Sequence, residues 1–216
     1  MNRELPHRAS NLVDHPMTRR ALAKQRTRER LLDAARRLFA ERGYEAATIR
    51  DIASAADLST GAVFASFTDK ADLFNEVLIA DYQKLSERMS QLDVENLPAR
   101  EALLRLMRLA YERHLDQLGL VQAAISFSWQ CDQTAEARNR QGMKLILSLL
   151  SGIITRGIER GELSRALDVK LTTDMLWESY LSNYRRAIFD EWNASSLMAR
   201  LASQLDVLLT GYRAVA

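Results

Sequence analysis

In 216 residues the soft ligands are one cysteine, Cys131, and three scattered histidines, His7, His15 and His114. A metal cluster needs several such groups at close spacing and an internal disulfide needs two thiols, so neither is expected. No stretch sets a nucleophile beside a base, and the acidic neighbours Asp190 with Glu191 and Glu159 with Glu162 read as solvated helix ends. The chain reads as no enzyme, with no cofactor and no metal. Cys131 leaves two readings open, a redox sensor or an unreactive buried thiol. What remains is recognition chemistry. It concentrates in residues 48–67, where hydroxyl and small side chains are interleaved with a sparse apolar pattern.

Thr48 fits an N-cap with Asp51 three residues on, a variant capping box, and Ile49, Ile52, Ala53 and Ala56 form a short apolar face. That spacing predicts a helix of about two turns. Asp57 and Leu58 fall where a tight turn belongs, and Asp tolerates the positive φ that such a turn demands. Ser59 then caps a second short helix that sends Val63 and Phe67 inward. Small Ala53 lets the helices approach, Leu58 anchors the turn, and Ile52, Ala56 and Val63 fill the space between, which makes a helix-turn-helix. Charge agrees with this placement. Residues 1–50 hold 12 Lys and Arg against 6 Asp and Glu, and residues 51–216 hold 18 against 22. A basic end on a mildly acidic body suits a polyanion such as nucleic acid, although a solvated face explains charge alone.

The elements that must position this unit are helical. The chain is 47% hydrophobic and 27% charged, with 8 glycines and 3 prolines, too few turn formers for a β architecture, so an all-α fold is expected. From Thr27, Leu31, Leu32, Ala35, Leu38 and Phe39 recur at helical spacing, and Gly43 follows as a left-handed helix end. Leu103 to Tyr111, Ile146 to Ile154, and Leu197, Leu201, Leu205, Leu208 and Tyr212 repeat the pattern, with punctuation at 93–98, Gly119, 132–134, 161–168 and 193–196. Charged residues interrupt every apolar stretch before the roughly 18 to 20 residues a membrane helix needs, and no secretory leader is visible. A cytoplasmic protein without membrane contact is expected. Residues 1–24 are basic, and Pro6, Asn11 and Pro16 argue against one continuous helix, so a flexible arm is expected there.

Residues 26–80 resemble the DNA-binding domain of the tetracycline-repressor (TetR) family of bacterial regulators. The resemblance is carried by residues 38–44 (LFAERGY), 48–53 (TIRDIA), 58–64 (LSTGAVF) with Phe67, and Asp69 and Lys70 with Leu73 and Phe74. It implies an N-terminal three-helix helix-turn-helix domain, residues 25–72, and a C-terminal helical ligand-binding and dimerisation domain, residues 73–216. It implies a repressor that binds a pseudo-palindromic double-stranded DNA operator as a homodimer, with half-sites about 34 Å or a little more apart, and that a small-molecule effector releases. Thr48, Arg50 and Lys70 would meet phosphates, while Ser59, Thr60, Gly61, Ala62, Ala65 and Ser66 would face bases. Phe64 stands where the family often has Tyr and lacks the hydroxyl that would bond a phosphate. With no Arg, Lys, Asn or Gln on this helix, thymine-methyl packing by Ala62 or Ala65, hydroxyl contacts and shape readout would supply specificity. The arm would enter a minor groove, or be a tail with no role.

For the body, the resemblance implies dimerisation through the last two helices, about 168–191 and 193–213. It also implies an effector pocket, for which Met107, Tyr111, His114, Phe127, Cys131, Met143, Trp177, Tyr180 and Tyr184 are the candidates. Each of these could equally be ordinary core. Outside this family, a helical adaptor without DNA binding, or a small-molecule-binding protein, is the alternative.

Overall fold

The computed structural model describes residues 18–210, which form nine α-helices: α1 (Arg19–Ala46), α2 (Ile49–Ala55), α3 (Thr60–Phe64), α4 (Lys70–Ser90), α5 (Ala99–Leu115), α6 (Leu118–Ser128), α7 (Gln133–Glu159), α8 (Val169–Asp190) and α9 (Ala194–Thr210). No described helix is long and apolar enough to cross a membrane. Caps set the boundaries: Thr18, Thr48, Ser59, Asp69, Asp132 and Asp168 each accept a hydrogen bond from a backbone amide of the turn they open.

Two apolar cores meet on α4. Leu31, Ala35, Leu38 and Phe39 of α1 pack with Ile52, Ala53, Val63 and Phe67 and with the first half of α4, Leu73, Phe74, Val77 and Leu78. The second half of α4, Leu85 and Met89, enters the larger core made by α5, α7, α8 and α9. An expected boundary at 72/73 therefore falls inside an unbroken helix. Phe127 of α6 crosses to the smaller core, its ring 5.1 Å from Phe74, which in turn sits 4.9 Å from both Phe39 and Tyr44.

Several local expectations need correction. Helix α1 starts at Arg19, so residues 19–24 of the expected arm are helical, and residues 1–17 lie outside the described residues. Gly43 does take a positive φ of 78°, but with ψ 168° it kinks the chain rather than ending it in the left-handed helical well, and a last turn follows to Ala46. Helix α3 spans only Thr60–Phe64, shorter than the expected 59–67.

Gly119 is no turn. It is the second residue of α6, and a Cβ there would stand 2.3 Å from the Ala40 carbonyl oxygen of α1. Glycine is required because two backbones touch. Gly119→Ala should therefore destabilise the fold by about 1–3 kcal/mol, since overpacking against backbone outweighs the roughly 1 kcal/mol that alanine gains in a helix interior; urea denaturation of both proteins checks the sign.

Candidate nucleic-acid interface and effector region

The helix-turn-helix is assembled by local hydrogen bonds. Thr48 Oγ1 accepts from the Asp51 amide at 3.1 Å and donates to Asp51 Oδ2 at 2.7 Å, and the Thr48 amide donates to the same carboxylate. Those bonds hold the Asp51 carboxyl below its ordinary range. Asp57 takes φ 50° at the turn, as its residue type allows, and the Leu58 amide closes back on the Ala53 carbonyl at 2.9 Å. Ser59 Oγ accepts from the Ala62 amide at 3.2 Å. Val63 and Phe67 are buried beneath α3 while Ser59, Thr60, Gly61, Phe64 and Ala65 are exposed and Ala62 and Ser66 half-buried. Phe64, 58% exposed, presents a bare ring to solvent.

The cations around this face divide into two kinds. Arg28 holds the Ser66 carbonyl at 3.1 Å and lies over the Phe67 ring, Arg30 holds the Ala56 carbonyl, and Arg42 pairs with Asp51. Arg50 is exposed and makes no hydrogen bond or ion pair among the described residues. Lys70 departs from the expectation that it meets a phosphate. Its ammonium donates to the carbonyls of Tyr44, Glu45 and Ala47 at 2.9, 3.3 and 3.3 Å and sits 4.3 Å from the Tyr44 ring centroid. An ammonium has three donors. All three are engaged in tying α4 to the end of α1, a role that residue spacing did not reveal.

In the body, the structure brings together Tyr111, His114, Tyr180 and Tyr184. Asp81 of α4 accepts from His114 Nε2 at 2.8 Å and from Arg113, with Arg36 of α1 at 3.5 Å. His114 Nδ1 meets the Tyr180 hydroxyl at 2.6 Å, which meets the Tyr184 hydroxyl at 2.7 Å. Tyr111 donates to the Tyr180 carbonyl and accepts from Asn183, which also accepts from Arg200 and donates to Gln204 of α9. A polar thread thus runs from α1 through α4, α5 and α8 to α9. Burial pushes the Tyr111 hydroxyl up to about 12 and those of Tyr180 and Tyr184 up as well.

Met107 and Trp177 are buried and Met143 partly buried in the same core. Phe127 and Cys131 are elsewhere, against the smaller core. The aromatic hydroxyls satisfy one another, and two grooves of about 550 and 630 Å³ lie along α7. Burial and the nearby Glu136 carboxylate push the Cys131 thiol up, which suits an unreactive thiol better than a sensor. Of the stripe, Leu197, Leu201 and Leu205 are buried in the subunit's own core and Leu208 is partly buried against it. The apolar groups left exposed nearby are Leu171, Met175 and Phe189 of α8 and Val207 of α9. Tyr212 lies outside the described residues.

Residues 31–77 match the family model described as bacterial regulatory proteins, tetR family. That segment is similar to the DNA-binding domain of the TetR family. Across 185 residues it is 28% identical to the fatty acid metabolism regulator protein of Bacillus subtilis, covering 84% of this chain and 93% of that protein. It is 28% identical over 158 residues to the HTH-type transcriptional repressor KstR2 of Rhodococcus jostii, covering 68% and 73%. The crystal structure of the transcriptional regulator FadR from B. subtilis in complex with stearoyl-CoA superposes with a TM-score of 0.73 at 24% identity, covering 86% of this chain and 99% of that one. The TetR fold thus extends beyond the helix-turn-helix into the body.

Asp81 gives this body a pH signature. Burial alone would raise its carboxyl, but the hydrogen bond and charge of His114 and the charge of Arg113 win and hold it at about 2. A depressed native value stabilises the fold above the ordinary carboxyl range, and the benefit fades as pH falls from about 4 towards 2. Its size is about 2 kcal/mol. Asp81→Asn should cost on the order of 3 kcal/mol at pH 7, because Arg113 is left without its buried counter-charge. The variant should also lose part of the acid-dependent fall below pH 4; urea midpoints at a series of pH values check both.

Proposed function

We propose that this protein is a ligand-responsive transcriptional repressor that binds a pseudo-palindromic operator as a homodimer and leaves it when a small-molecule effector binds. The observation that carries the reading is the outer face of α3. It offers hydroxyls, small side chains and an exposed Phe64 ring with no basic residue, flanked by the uncommitted Arg50. Such a face fits a major groove closely and reads methyl groups and shape, while Thr48 and Arg50 at the start of α2 address phosphates. Ser59, Thr60, Gly61, Ala62, Ala65 and Ser66 are the base-facing set. The exposed Leu171, Met175, Phe189 and Val207 support dimerisation through α8 and α9, which two-fold operators require. Residues 25–72 serve as the DNA-binding unit and 73–216 as the regulatory unit, with α4 common to both.

For the effector we assign an acyl amphiphile such as a long-chain acyl-CoA, on the strength of the FadR likeness. Tyr111, His114, Tyr180 and Tyr184, with Met107, Met143 and Trp177, form the aromatic and polar wall that an acyl chain would part. Effector binding and operator binding oppose each other by one and the same factor.

Titration of the DNA upstream of the protein's own gene, with unrelated duplex as competitor and stearoyl-CoA as the releasing ligand, tests the reading; binding abolished by the competitor would overturn it. Arg50→Ala should weaken binding to all duplexes alike and lower the slope of log affinity against log salt by about one. Lys70→Met should leave that slope unchanged and lower the melting temperature instead, because its ammonium is committed within the protein. Leu171→Glu combined with Val207→Glu should yield monomers in sedimentation equilibrium, with operator affinity lost and helicity kept.

A further inference from the structure

Two carboxylates on the first turns of α4 each face two ways. Asp72 Oδ1 takes Arg138 of α7 at 2.8 Å, while Oδ2 takes the Thr68 amide at 2.9 Å. Glu76 Oε1 takes the other arm of Arg138, while Oε2 takes Arg28, whose second nitrogen holds the Ser66 carbonyl. Residues 66–68 are the strand of chain that leaves the recognition helix. Its carbonyl and its amide thus both lead, through one carboxylate each, to a single guanidinium of the body.

Arg138 is also 40% exposed, and it lines the groove of about 550 Å³ between α4 and α7 with Ile79, Gln83, Gln141, Lys144 and Leu145. That lining holds two cations and no carboxylate. The other described grooves carry Asp174, Asp93 with Glu95, or Glu112 with Asp116. Ile79 and the exposed Leu145 add an apolar wall. One residue along from Glu76 and Arg138, buried Asn75 and Asn139 carry amide atoms without a protein partner, so a shifted α4–α7 packing that pairs them loses little.

We propose that the groove between α4 and α7 binds the charged head of an anionic amphiphile through Arg138, withdrawing Arg138 from Asp72 and Glu76 and thereby loosening the segment that holds the recognition helix. The inference rests on the effector-released reading above and gives it a site and a route. A phosphate or carboxylate offers the guanidinium the same two-pronged partner that the protein's own acids supply. Partly exposed ion pairs are weakly held, so the exchange is within reach of a modest ligand. Once Arg138 leaves, Asp72 and Glu76 are free to move with α4, and Ser66 and Thr68 lose their fixed anchors.

Hydrogen exchange at the Thr68 amide of the full chain, measured without DNA, tests this directly. Decyl phosphate or decanoate, added at matched ionic strength, should speed exchange at Thr68 about tenfold relative to amides of α9, and whichever of the two acts identifies the head as phosphate or carboxylate. Arg138→Gln should exchange fast without either probe and respond to neither. Arg140→Gln, whose guanidinium pairs with Glu136, should behave as wild type. If Arg138→Gln does not fold, Arg138→Lys, able to hold one carboxylate at a time, should exchange at an intermediate rate. Wild-type exchange unmoved by both probes, or equal exchange in wild type and the Arg138 variants, overturns the proposal. Coupling at Thr68 with no release of any operator supports the groove and counts against the repressor reading alone.

Discussion

A helix of five residues does not hold itself in water, because nucleation costs more than one or two turns return. Helix α3 is such a helix, and its orientation is imposed from behind. Val63 and Phe67 pin it to the smaller core, Ser59 caps its start, and Arg28, lying over Phe67, grips the carbonyl just past its end. The outer face of α3 is thus as rigid as α1 and α4 make it, and anything that displaces α4 displaces that face.

Helix α4 is placed to transmit such a displacement, since its two halves lie in two cores. Phe74 is surrounded by Phe39, Tyr44 and Phe127, so the smaller core already contains a side chain from the body. Lys70 staples the start of α4 to the last turn of α1, and Asp81 is met by Arg113 and His114 of the body and by Arg36 of α1. Burying a carboxylate is costly, and a hydrophobic residue would pack there at lower cost. What the charge adds is directionality. Packed leucines can slide past one another, whereas a carboxylate bonded to His114 and Arg113 keeps one register between α4 and α5 until something competes for its partners.

The close approach of Gly119 to the Ala40 carbonyl adds a second constraint, since α6 can leave α1 but cannot move nearer. The body touches the helix-turn-helix unit through contacts of different chemistry, among them backbone on backbone at Gly119, aromatic rings at Phe127, and ions at Arg138. An effector need disturb only the weakest of these. Of these three, the ionic contact at Arg138 is the most exposed and hence the most easily exchanged.

The helix-turn-helix was legible in the residues because its determinants are local. The Thr48 box, the Asp57 turn and the Ser59 cap act within four residues, and Ile52, Ala53 and Val63 announce their burial by spacing alone. The all-helical class was legible for the same reason. The final-helix stripe was read correctly as apolar, yet only packing showed that Leu197, Leu201 and Leu205 are consumed internally while Val207, 70% exposed, stays at the surface. Lys70, Asp81 and Arg138 could not be read in advance, because a charged residue on a helix looks alike whether solvent or a partner far along the chain receives it. Local spacing was enough to place the caps at Thr48 and Ser59, the short helix pair and the side chains that shun water. Which ions meet became visible only in the packed fold, because those pairings depend on how α1, α4, α5 and α7 lie against one another, and no local spacing encodes that arrangement.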